Sequence, residues 1–171
     1  MWVDEVDARE DRLRESRLAS SLPWRGTSEG RQLRRWLTQL LVTERVVAAE
    51  AATRGLSADG APSEDELLPD TTTRLEIGSI AASVLADALA RALFVSVTAA
   101  VDVTDAEVHD YRERNPRRFG STAQIAEHLR SAARRRGFRR WLDARCAELV
   151  ELAPGYEHPG DPRQPDNTHR H

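Results

Sequence analysis

Arg31–Leu56, RQLRRWLTQLLVTERVVAAEAATRGL, decides the fold class. Leu33, Trp36, Leu37, Leu40, Leu41, Val47, Ala48 and Ala51 recur at spacings of three and four, which place them on one face of an α-helix. Gly55 follows as a natural C′ residue, because it enters the left-handed region with no Cβ to clash. A long amphipathic helix ending at Gly55 is therefore expected.

Working outward from it, the chain reads as a series of helices. Asp4–Ala19 carries Val6, Leu13 and Leu18 among many charges and predicts a short amphipathic helix. Ser20–Gly30, SSLPWRGTSEG, is a break, with Thr27 or Ser28 available to cap the helix that follows. Leu56–Thr73 is acidic, holds Pro62 and Pro69 and lacks periodicity, so it reads as a loop. From Leu75 to Leu93 an Ala-rich run is apolar around most of its circumference and predicts a buried helix. The β-branched stretch after it, Phe94–Val103, would extend or kink that helix. Thr104-Asp-Ala-Glu107 has the form of a capping box opening a short helix that stops before Asn115-Pro116. Ser121-Thr-Ala-Gln124 offers a second box for the last helix, expected to run to about Leu152 with Gly137 as a kink point. The expectation is an all-α fold: one helical domain over residues 1–152 and a Pro/His/Asp-rich segment over 153–171.

Composition agrees and removes several function classes. A chain of 171 residues with 40% apolar content has the size of one ordinary domain, and its 5% aromatic content and abundant Ala, Leu, Arg and Glu favour helix. Its net charge of −3 argues against general nucleic-acid binding, which needs a sustained basic excess to release counterions. With one cysteine, Cys146, there is no intrachain disulfide and no Cys-pair zinc motif. The start MWVDEVDARE lacks the basic and apolar regions of a signal peptide, and no apolar run suits a membrane helix, so a cytoplasmic protein with no membrane partner is expected.

Arg31–Leu56, then VTDAEVHDYRERNPRRF (Val103–Phe119), then the closing helix LRSAARRRGFRRWLDARCAELVEL (Leu129–Leu152) together resemble the helical chaperone core of SurA-type and parvulin-type peptidyl-prolyl isomerases. Val103, Thr104, Asp105, Glu107, Val108, Tyr111, Asn115 and Phe119 carry the likeness. In those isomerases the catalytic parvulin domain is inserted after the turn that ends in Phe119, whereas here Phe119-Gly-Ser-Thr leads straight into the closing helix. The resemblance therefore implies a helical binding protein without an isomerase site, and a peptide groove lined by Trp36, Leu40 and Trp141. The whole chain is also similar to a little-characterised bacterial family carrying the labels peptidyl-prolyl isomerase or malonyl-CoA:acyl-carrier-protein transacylase.

Gly26–Gly30, GTSEG, satisfies the Gly-x-Ser-x-Gly of hydrolase and acyltransferase nucleophile elbows. The elbow requires a buried strand before the serine, and ASSLPWR is not one, so a helix N-cap accounts better for the same residues. Arginines 130, 134, 135, 136, 139, 140 and 145 could bind phosphate, nucleic acid or an acidic carrier protein, but they spread around the closing helix among Glu127, Asp143 and Glu148, the pattern of a solvated, partly salt-bridged face. His109 and His128 each stand alone on a helix, as surface or satisfied core histidines do.

The C-terminal HPGDPRQPDNTHRH holds His158, Asp161, Asp166, His169 and His171, five groups able to ligate a divalent transition metal, zinc foremost. In an extended segment His169 and His171 would point the same way. The alternatives are a tail packed against the helices or a partner, and a disordered proline-rich tail. The expected activity is binding of a protein or peptide client, with a metal site in this segment and a homo-oligomer left open. The rival is a small metal-dependent enzyme arranging His158, His169 and His171 around an open coordination position.

Overall fold

A computed structural model describes residues 3–151 of the chain. Every regular element among them is helical, as the periodicity predicts: α1 (Val3–Arg14), a single 3₁₀ turn (Ala19–Ser21), α2 (Ser28–Thr53), α3 (Glu64–Leu67), α4 (Thr71–Ile77), α5 (Ser79–Val84), α6 (Ala88–Val97), α7 (Asp105–Arg114) and α8 (Thr122–Leu149). Its contacts fall into two compact units, where the sequence reading treats residues 1–152 as one domain. Among the described residues, the first unit contains residues 3–46 and 146–151, and the second contains Val47–Arg145.

In the first unit, α1 begins with Asp4 and Glu5 and ends with Arg12 and Arg14, charges placed to suit the helix dipole. α2 is capped by Thr27, whose hydroxyl accepts from the Gly30 N–H at 3.1 Å and donates to the Trp24 carbonyl at 2.8 Å. Val6, Leu37, Leu40, Val42 and Val46 form the unit's buried apolar set. Arg9 pairs with Glu44 at 3.1 Å and Arg45 with Glu5.

In the second unit, α2 ends as expected. Gly55 lies at φ 62°, its N–H bonds to the Ala52 carbonyl at 3.0 Å and the Leu56 N–H to the Ala51 carbonyl at 3.0 Å, the two bonds of a Schellman motif. The segment read as loop proves partly helical. Ser63 and Glu66 make a full capping box for α3, and Asp70 caps α4 by accepting from the Thr73 N–H at 2.7 Å. The single buried helix expected from Leu75 to Leu93 is three helices. Gly78, at φ 92°, separates α4 from α5, and Asp87 starts α6 by accepting from the Leu89 and Ala90 amides at 2.8 and 3.1 Å. The apolar circumference hides these breaks because each short helix buries its own face: Ile77, Ala81, Val84, Leu85, Ala90, Leu93 and Phe94 all lie in the core. Phe94–Val97 continue α6 rather than kink it.

The Thr104–Glu107 box forms as predicted and opens α7. At α8 the second box is offset. The Ser121 hydroxyl accepts from the Gln124 N–H at 3.3 Å, but the Gln124 side chain reaches back to the Gly120 amide instead, at 2.9 Å. α8 is continuous through Gly137 and ends at Leu149.

Candidate functional site

The chemistry of the first unit converges on Glu10. This carboxylate projects from α1 and is fully buried, at 0% exposure. Three arginines drawn from three segments surround it. Arg14 Nε donates to Oε1 at 2.8 Å, Arg25 Nε donates to the same oxygen at 3.1 Å, and Arg34 Nη1 donates to Oε2 at 2.9 Å. Burial alone would push the Glu10 pKa up; the bonds from Arg14, Arg34 and Arg25 outweigh it and hold the carboxyl below its ordinary 4.5. Asp7 gives Arg34 a second partner at 2.6 Å, and Asp11 gives one to Arg25. The cluster is internally neutralised, so the arginines are not free to bind an anion from outside.

What the cluster does is hold the Pro23–Arg25 segment. Arg14 Nη2 donates to the Pro23 carbonyl at 2.9 Å, Arg25 is fixed to Glu10 and Asp11, and the Trp24 carbonyl receives the Thr27 hydroxyl. Gly26 takes φ 82°, and Gly30 approaches Trp24 so closely that a Cβ there would collide with its carbonyl oxygen. Trp24, pinned on both sides, is nevertheless 84% exposed. It lines a cleft of about 440 Å³ with Asp11, Arg14, Glu15 and Arg25. An indole carried on a fixed backbone and facing water offers the large apolar area of a binding anchor.

This geometry also explains GTSEG. Gly26 supplies a positive φ, Thr27 the cap and Gly30 the close approach, and Ser28 begins α2. The strand that a nucleophile elbow needs is not found among the described residues.

The residues picked from the sequence are distributed over both units. Leu40 is buried at 3% exposure and Trp36 is half-buried, both in the first unit. Trp141 belongs to the second unit, stacked on Phe138 at 5.9 Å with the Arg54 guanidinium over its ring. His158, Asp161, Asp166, His169 and His171 lie outside the described residues. Among the described residues, no group of three or more His, Cys, Asp or Glu could hold a metal ion.

In the second unit most arginines of α8 are engaged, several of them in ion pairs. Arg130 binds Asp102 and Glu127, both at 3.0 Å; Arg135 and Arg136 meet Glu76 at 3.2 and 3.5 Å; Arg145 Nε donates to Glu50 at 3.0 Å. Arg134 donates to the Thr98 hydroxyl at 3.0 Å while lying over the Phe94 ring. His109 is exposed and pairs with Glu113 at 3.3 Å. His128 is enclosed by the Tyr111 and Phe119 rings at 5.7 and 5.0 Å, and its pKa is pushed below the ordinary 6.5 by burial and then by the Arg118 and Arg135 charges.

The sequence reading passed over Trp24 because a tryptophan in a Pro/Gly-rich break has no periodicity to mark its exposure. The available signal was its setting: a large aromatic between Pro23 and Gly26, off every apolar stripe.

Among the described residues the regular elements are all helical, and a solvent-facing tryptophan sits on a segment held by the Glu10 cluster. A family of unknown function (DUF7158) matches residues 1–29, the stretch that contains Glu10, Arg14, Trp24 and Arg25. No curated protein and no solved structure matches the chain. No helix among the described residues is long and apolar enough to cross a membrane.

Proposed function

We propose that the protein binds a protein or peptide client, as a helical module of the SurA type without the isomerase insert, and that Trp24 is its anchor. The observation that carries this reading is the contrast at Trp24: four polar contacts fix the Pro23–Arg25 segment while 84% of the residue faces water. Tryptophan is among the side chains from which interface anchors are most often drawn, and here its backbone is held in place while its ring is open to a partner.

The SurA-type likeness finds local support in the second unit. Residues of the shared pattern contact one another: Thr104 and Glu107 cap reciprocally, the Asn115 amide donates to the Tyr111 carbonyl at 3.0 Å, and the Tyr111 and Phe119 rings lie 6.0 Å apart.

The test is suppression of aggregation of a reductively unfolded client, such as lactalbumin, by the full chain. Wild type slows aggregation, and Trp24→Ala loses most of that effect while keeping its helical circular dichroism. No suppression by wild type, or equal suppression by Trp24→Ala, overturns the reading. The metal-dependent alternative rests on His158, His169 and His171 alone. Elemental analysis of untagged wild type beside His169→Ala/His171→Ala decides it: metal present in the first and lost in the second supports a site there.

A further inference from the structure

The charges lining the Trp24 cleft sum to zero, yet they are not equally engaged. Arg14 and Arg25 both donate to Glu10, and Arg25 also binds Asp11. Both guanidinium charges, and the Asp11 charge, are therefore met within the protein. Glu15 is different: it is exposed, lines the same cleft, and has no hydrogen bond or ion pair from its carboxylate among the described residues. Of the two carboxylates that line the cleft, Asp11 is met by Arg25 and Glu15 is not met. The open features are thus a bare indole face and one unmatched carboxylate.

An indole face beside a free carboxylate is the arrangement that recognises an organic cation. The ring quadrupole attracts the charge over its face, and the carboxylate accepts its N–H groups. A leucine-like side chain would use the indole alone, and an acidic one would meet Glu15 as a like charge. Resting on the binding role proposed above, we infer that the Trp24 cleft selects a basic side chain of the client, an arginine foremost, because its planar guanidinium can stack on indole and hydrogen-bond to Glu15 together.

The experiment uses the ¹⁵N-labelled full chain and four probes titrated singly: the N-acetyl amides of arginine, lysine, leucine and glutamate. The Trp24 indole and Glu15 backbone signals are followed. Arginine amide should shift both, lysine amide less, and the glutamate amide neither. Glu15→Gln should weaken the arginine response about threefold, and added salt should weaken it further. Trp24→Leu, which keeps an apolar side chain but removes the π face, should abolish preference for arginine over leucine amide. A response to leucine amide equal to or above that to arginine overturns the cation preference and leaves the client-binding reading standing. No response to any probe overturns the cation site; if wild type also fails to suppress client aggregation, the binding reading falls with it.

Discussion

Arg25 Nε donates to Glu10 Oε1 at 3.1 Å across fifteen positions of sequence, and this bond fastens the tryptophan segment to α1. The carboxylate is fully buried, yet Arg14, Arg25 and Arg34, its partners, keep side-chain exposures of 23, 55 and 30%. Glu10 therefore works as a covered hub whose spokes reach the surface.

Removing the hub's charge should be costly. Glu10→Gln leaves three guanidinium groups around a neutral amide, and we expect a loss of about 2 to 4 kcal/mol in urea unfolding, kept to the lower end by the arginines' access to water. A change below about 0.5 kcal/mol would show that the cluster does not hold the first unit.

Trp24 itself should be dispensable to folding. With 84% of its surface in water, Trp24→Ala is expected to alter stability by less than about 0.5 kcal/mol. A large drop in thermal midpoint would mean that the indole is structural and would remove the reason to regard it as an anchor.

Two glycines should respond to alanine with opposite signs. At Gly30 a Cβ collides with the Trp24 carbonyl oxygen and lies 3.2 Å from its carbon, so Gly30→Ala should destabilise by about 1 to 3 kcal/mol and displace the tryptophan segment. At Gly137, inside α8, a Cβ would meet the Val101 Cγ2 at 3.6 Å, an ordinary contact, so Gly137→Ala should stabilise by about 0.5 to 1 kcal/mol. Denaturant midpoints of the two variants check both.

Those two glycines also mark how far the sequence could be read. Periodicity made α2 legible, and local chemistry made its Gly55 end and the Thr104 box legible, because each depends on neighbours within a turn. The Ser63–Glu66 box follows the same rule and was readable in the acidic segment, but Pro62 and Pro69 masked it. The breaks at Gly78 and Asp87 were harder, since a run apolar on every side looks the same whether one helix or three bury it. Glu10's meeting with Arg25 and Arg34 is tertiary, and no spacing announces it. The tail's His and Asp cluster was the densest chemical signal in the sequence and lies outside the described residues.

Acid should act on the second unit through His128. Its folded pKa lies below the ordinary 6.5, so as pH falls through that value the unfolded chain takes up the proton first and stability drops; above it this residue contributes no pH dependence. The groups facing it are the Tyr111 and Phe119 rings, Arg118, Arg135 and Glu76, of which only Glu76 favours the protonated ring. His128→Phe should flatten the urea midpoint against pH just below 6.5. Glu10 acts lower: its pKa is depressed from 4.5, so its contribution is full above that value and is lost as pH falls through the folded pKa. An unchanged profile in His128→Phe would assign the first limb to other groups.

The most direct measurement is a map of backbone amide shifts in the full chain as an unfolded client is added. The largest changes are expected at the end of α1 and in residues 22–30, around Asp11, Arg14, Glu15, Trp24 and Arg25, with α8 around Trp141 little affected. Changes concentrated around Trp141, or none near Trp24, would contradict the claim that the clamped tryptophan is where this protein meets its partner.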